Sequence, residues 1–182
     1  MSELWQLFTG LDERLANVLG EKTRLRDDLA SADISVHLRN AASYRYLVEQ
    51  QLQRLVRRGL KANGTTAAKP ERVARVMSEL CRVLLVEDID RDRIQMSFKE
   101  NREASLDGLV SEICEQAMDI RRTIEMSPGL HNWEWDAEIG VPVNPDHQDV
   151  WSSCDPDRPI RFLIAPAYMV DGHTFSPQIV FT

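Results

Sequence analysis

The sequence predicts a mainly α protein with a small C-terminal β-hairpin region, an α+β chain in which the helices come first and the strands last. Three observations carry this. Apolar residues recur at helical spacing through most of residues 4–126. Pro128-Gly129 then ends that pattern. Beyond it lie three of the four tryptophans and two apolar runs flanking Val170-Asp171-Gly172-His173, where Asp-Gly marks a hairpin.

The N-terminal element gives the strongest signal. Leu4, Phe8, Leu11, Leu15, Val18, Leu25 and Leu29 alternate in steps of four and three, with only Lys22 polar on the seam. A period of about 3.5 residues belongs to a coiled-coil-like helix whose stripe faces another helix along its length. The helix is expected from about Ser2 to Ala30, with Ser2 as N-cap and Glu3 in the first turn, where a carboxylate complements the dipole. Trp5, Leu7 and Leu19 widen the stripe, and Gly20 weakens the helix without ending it.

After Leu29 the register slips to Ile34, Leu38, Ala41, Val48, Leu52 and Leu55. Ser31 or Asp33 can cap a second helix reaching about Leu60. The two segments read as a helical hairpin with a tight turn near Ala30–Asp33, and one long helix with a phase shift is the alternative. Tyr44 and Tyr46 fill a stretch poor in aliphatics and border the seam. In the hairpin, Lys22 snorkels to the rim. In a parallel dimer it would instead fix register and oligomer number, and Glu21 would reach Arg26 of the partner helix.

Lys61–Lys69 reads as a linker broken at Asn63-Gly64. Pro70 suits the first turn of a third helix, whose second half (Leu80, Cys81, Val83, Leu84, Leu85, Val86) is apolar nearly all round and therefore central. Glu87–Arg93 is a charged break, and Ile94, Met96 and Phe98 fit either a short strand or a helix start. A fourth helix is expected from Ser105 to about Met126, with Leu106, Leu109, Val110, Ile113, Cys114, Ala117, Ile120 and Ile124 on one face. Two strands, Ile160–Met169 and Thr174–Thr182, complete the chain and need a helix or further strands from 139–152 to pack against. The organisation is thus a helical hairpin (1–62), a linker (63–69), core helices (70–127) and a Pro/Trp-rich β-containing region packed on the helices (128–182).

The net charge of −7 is unevenly spread. Residues 1–86 hold 14 Lys/Arg against 10 Asp/Glu, a net of +4, and the rest of the chain carries −11. Such asymmetry favours head-to-tail attraction between copies, or an anionic partner for the first half, unless screening removes both effects. No run of apolar residues is long enough for a membrane span, and the start of the chain fits neither a signal nor a transit peptide, so a cytoplasmic protein is expected. Three scattered cysteines, two of them on apolar stripes, fit a reducing compartment.

Motifs for chemistry are sparse. His147 and Cys154 lie in a loop with Asp146, Asp149, Asp155 and Asp157, but no metal-ligand spacing is present and a solvated acidic loop is the favoured reading. Cys154 with His131, His147 or His173 would make a nucleophile pair for a small hydrolase, without a flanking motif to support it. No phosphate-binding glycine loop occurs. Trp133 and Trp135 share a face if extended and read as anchors into the chain's own core before a ligand surface. Arg54, Arg57, Arg58 and Lys61, with Arg45 upstream, form a candidate anion-binding face, against the plainer reading of cations at a helix C-terminus.

The segment IRFLIAPAYMVDGHTFSPQIVFT, through Pro166, Ala167, Gly172, Val180 and Thr182, resembles the C-terminal domain of the mitochondria-eating protein family over the last third of the chain. The resemblance implies a helical and coiled-coil region before a compact terminal domain, in a non-enzymatic protein that self-associates and meets anionic lipid. It carries over no functional residue, and the basic segment falls outside it. The expectation is therefore a scaffold that pairs with itself or another helical protein through Leu4, Phe8, Leu11, Leu15, Val18, Lys22, Leu25 and Leu29. Anionic lipid is the alternative partner, nucleic acid is disfavoured, and no cofactor or metal is called for.

Overall fold

The computed structural model describes residues 33–62, 69–96, 98 and 104–182. The seam positions Leu4 to Leu29, the turn expected at 30–33 and most of the linker lie outside the described residues. By compactness the chain divides into Met1–Val36 and His37–Thr182, and apart from helical residues 33–36 every described element belongs to the second unit.

The first described helix, α1, covers 33–62 and contains a π-helical stretch at Leu47–Leu52. Its buried residues come in pairs every four positions, at Leu47/Val48, Gln51/Leu52, Leu55/Val56 and Gly59/Leu60. In a regular α-helix each step of four carries the stripe about 40° round the axis. The wider π turn absorbs part of that drift and keeps the pairs facing the core. The expected stripe is corrected at its start: Ile34 and Leu38 are exposed, while His37, Asn40, Ala41 and Tyr44 face inward.

Helix α2, Pro70–Leu85, opens on proline at the first turn and buries Leu80, Cys81, Val83, Leu84 and Leu85, as its apolar second half predicts, but Val86 is corrected: it is the C-cap, beyond the last helical turn, and is exposed. Residues Arg91–Met96 form a short helix, α3, which resolves the strand-or-helix ambiguity. Asp90 Oδ1 accepts the Asp92 N–H at 2.9 Å at its start, and Ile94 and Phe98, four apart, are both buried. Helix α4, Ala104–Glu125, places Leu106, Leu109, Val110, Ile113, Cys114, Ala117, Ile120 and Ile124 in the core. Phe98 lies so close to Gly59 that a Cβ there would fall 2.3 Å from its ring.

Among the described residues six short strands make two three-stranded sheets. They are β1 (His131–Glu134), β2 (Gln148–Val150), β3 (Phe162–Ala165), β4 (Ala167–Val170), β5 (His173–Ser176) and β6 (Gln178–Phe181). One sheet has the order β1-β4-β5, and the other β2-β6-β3 with β2 parallel to β6. The hairpin forms where Asp-Gly predicts it. Asp171 and Gly172 both have positive φ, 49° and 80°, and Val170 pairs with His173. The two long strands expected on either side are each divided, at Pro166 and at Pro177. Proline has no N–H for the ladder, so the ribbon turns a corner there and its two halves join different sheets. Pairing nevertheless continues through the corner: Tyr168 opposes Ser176 before it, and Leu163 opposes Val180 beyond it, with a bulge in each half.

Helices and sheets share one core. Leu47, Leu55, Met77, Leu80 and Ile113 belong to the same buried cluster as Ile164, Tyr168, Ile179 and Phe181. Polar pins reinforce the packing: Tyr44 donates its hydroxyl to the Pro166 carbonyl at 2.6 Å, and Ser78 donates to the Leu163 carbonyl at 2.8 Å. At the surface Glu71 binds both Arg75 and Arg161 at 2.9 Å, while those two guanidiniums cover the stacked rings of Phe162 and Phe181.

Candidate functional site

Between Glu49 and Glu71 the chain has no carboxylate, and this stretch carries Arg54, Arg57, Arg58, Lys61 and Lys69. The first four stand at i, i+3, i+4 and i+7, which places them on one face of a helix. The structure exposes all four, because Leu55, Val56, Gly59 and Leu60 occupy the core side of the same turns. Among the described residues Arg54, Arg58 and Lys61 meet no carboxylate. Arg57 donates to the Gln53 amide oxygen at 3.1 Å, once that amide is turned to satisfy both its neighbours. The result is a band of four cations about 10.5 Å long, at 1.5 Å per residue, open to solvent at the end of α1.

Arg45 does not join this band. Its guanidinium is held by Glu49 at 2.7 Å and by Asp149 at 2.9 Å, beside a cleft of about 390 Å³ lined also by Trp151 and Ser152. Partial burial works against its charge, but the hydrogen bond and charge of Glu49, then those of Asp149, outweigh that and raise its pKa. Asp149 stands next to Val150 in β2, so Arg45 ties α1 to the sheet.

The remaining candidates lie apart. His147 is exposed and Cys154 half-buried, and among the described residues no hydrogen bond links Cys154 to a histidine. Among the described residues no group of three or more His, Cys, Asp or Glu side chains is placed to hold a metal ion. His131 and His173 are exposed, whereas His37 is buried and shares a 2.9 Å hydrogen bond with the Tyr168 hydroxyl. Trp133 packs between Tyr44 and Tyr168, at 4.8 and 5.4 Å between ring centres. Trp135 lies past the end of β1 under the Arg82 guanidinium, 4.7 Å from its ring centre, with its indole N–H buried and without a hydrogen-bond partner among the described residues. Both tryptophans therefore anchor into the fold.

One surface escaped the sequence reading. Glu112, Glu115 and Asp119 are all exposed on α4, and their i, i+3, i+7 spacing on its polar side was the available signal.

No family model matches this chain, and neither a curated protein nor a solved structure matches it. Among the described residues no helix is long and apolar enough to cross a membrane.

Proposed function

We propose that this chain is a non-enzymatic interaction protein of the cytoplasm, pairing with itself or with another helical protein through the seam from Leu4 to Leu29. The observation that supports it is the seam: eight positions at a period of about 3.5 residues, seven of them apolar. Sedimentation at two concentrations tests self-pairing directly. The parent mass is expected to fall on dilution, and Leu15→Asp, which puts a carboxylate in mid-seam, is expected to lower it at every concentration. A parent that is monomeric at every concentration would overturn self-pairing.

A second reading is favoured by the exposed cation band. Among the described residues Arg54, Arg57, Arg58 and Lys61 lack carboxylate partners, so an anionic surface such as lipid headgroups or nucleic-acid phosphates suits them. Binding to anionic vesicles or an oligonucleotide that weakens steeply with salt would support this. Salt-independent binding, or none, would sink it.

A further inference from the structure

The α4 carboxylates match the α1 cations in length and spacing. Glu112, Glu115 and Asp119 cover the same seven-residue interval as Arg54 to Lys61, about 10.5 Å of helix. Laid antiparallel, Arg54, Arg58 and Lys61 meet Asp119, Glu115 and Glu112. Laid parallel, Arg54, Arg57 and Lys61 meet Glu112, Glu115 and Asp119. Glu112 and Asp119 have no ion-pair partner among the described residues, and Glu115 meets only Arg91, at 3.5 Å. Within one copy, no ion pair among the described residues joins the two bands.

We propose that the basic face of α1 docks on the acidic face of α4 in a second copy of this chain. This rests on the self-association proposed above and adds a second, electrostatic contact to it. Charge complementarity and spacing favour another copy over other anions. Leu55, Val56 and Leu60 are buried, so the basic turns offer no apolar or aromatic side chain to enter a bilayer or stack on a base. The −11 carried by residues 87–182 opposes an extended polyanion, yet supplies the carboxylates for a second copy. Because the two faces differ, a single contact is heterologous: the pair keeps one free acidic face and one free basic face, which either close on each other or recruit further copies into a ring or an open chain. Exposed ion pairs are individually weak, so the contact is transient and sensitive to both concentration and salt.

The test is sedimentation velocity on the full chain at about 0.1 M and about 1 M salt, where the screening length falls from about 10 Å to about 3 Å. Two charge reversals accompany it, Arg54→Glu with Lys61→Glu, and Glu112→Lys with Asp119→Lys, the positions that face each other in both alignments, each checked for unchanged helicity. Either reversal is expected to weaken association about tenfold, and both together in one chain to restore it. A mixture of the two singly reversed proteins is expected to associate more tightly than either alone. Salt-insensitive association, or failure of the combined variant to recover, overturns the proposal. So does a loss on reversing α1 but not α4, and vesicle or oligonucleotide binding by the parent would then name the other occupant. Leu15→Asp separates this from the seam: salt-sensitive association that it leaves as strong as the parent's sinks the seam and keeps the docking, and salt-insensitive association that it abolishes does the reverse.

Discussion

Tyr44→Phe removes one oxygen at the corner of the ribbon, and the cost depends on what that oxygen holds. Tyr44 is 1% exposed, and its hydroxyl donates to the carbonyl of Pro166, which is itself buried. The phenol is a secure donor at neutral pH. Burial foremost, with the nearby Cys81 and Glu49 adding to it against an opposing Arg45, holds its pKa well above 10.0. Phenylalanine keeps the ring against Trp133, so the packing survives while the carbonyl loses this donor. Leaving a buried acceptor unsatisfied costs about 1–3 kcal/mol. For a chain of this size about 2 kcal/mol corresponds to a drop of roughly 4–8 °C in Tm. Urea and thermal unfolding by circular dichroism measure it, with the urea midpoint falling and the slope unchanged. Tyr168→Phe makes a double-mutant cycle, because both tyrosines touch Trp133 and their effects should not simply add. A Tm within about 1 °C of the parent would mean that this bond does not pin the corner, and the account of α1 holding the ribbon would fail.

Burial and close packing lead to further outcomes. Burial lifts the Cys81 thiol from 9.0 to about 12, so the unfolded chain loses that proton first as pH rises. The Cys81 contribution to stability should be level below pH 9 and fall above it by up to about 1.4 kcal/mol per pH unit until about 12, with Cys114, also raised by burial, adding to the loss above 9 and Tyr44 above 10. Thiol labelling of the native protein at about pH 8 should find Cys154 reacting fast and Cys81 only at the rate of opening, and simultaneous labelling of both would refute the buried assignment. Gly59→Ala should destabilise despite alanine's advantage of about 1 kcal/mol in helices, because its Cβ would meet the Phe98 ring and overpacking costs about 1–3 kcal/mol. A higher urea midpoint for this variant would show that the ring moves aside.

What was legible in the sequence was what local chemistry decides. Asp171-Gly172 fixes a turn because its two residues tolerate positive φ, and Pro70 and Pro128-Gly129 bound helices by the same local logic. The corner at Pro166 and Pro177 was equally local, and only the assumption of unbroken strands concealed it. The start of α1 was not legible. His37 and Asn40 look like surface residues until Tyr168 and Ser127, 131 and 87 positions away, arrive to satisfy them. Ile34 and Leu38 took their place in the expected stripe because an apolar count cannot register partners so distant.

Charge divides in the same way, and that bears on the candidate site. Spacing alone puts Arg54, Arg57, Arg58 and Lys61 on one face, and Arg45 belongs with them by composition. The fold separates them, since Asp149 reaches Arg45 from β2 and joins Glu49 in holding it, whereas Glu49 is the last carboxylate before the basic turns begin. An arginine already bound to two carboxylates stabilises the fold, and a row of cations that meets no carboxylate among the described residues remains available to an outside one. Of the exposed α4 carboxylates Glu112 and Asp119 have the same availability, Glu115 meets Arg91 at 3.5 Å, and the three span the matching interval. Neither band alone says more than that a helix has a solvated side, but two exposed bands of equal length and opposite sign on one chain are what the proposed contact between copies requires.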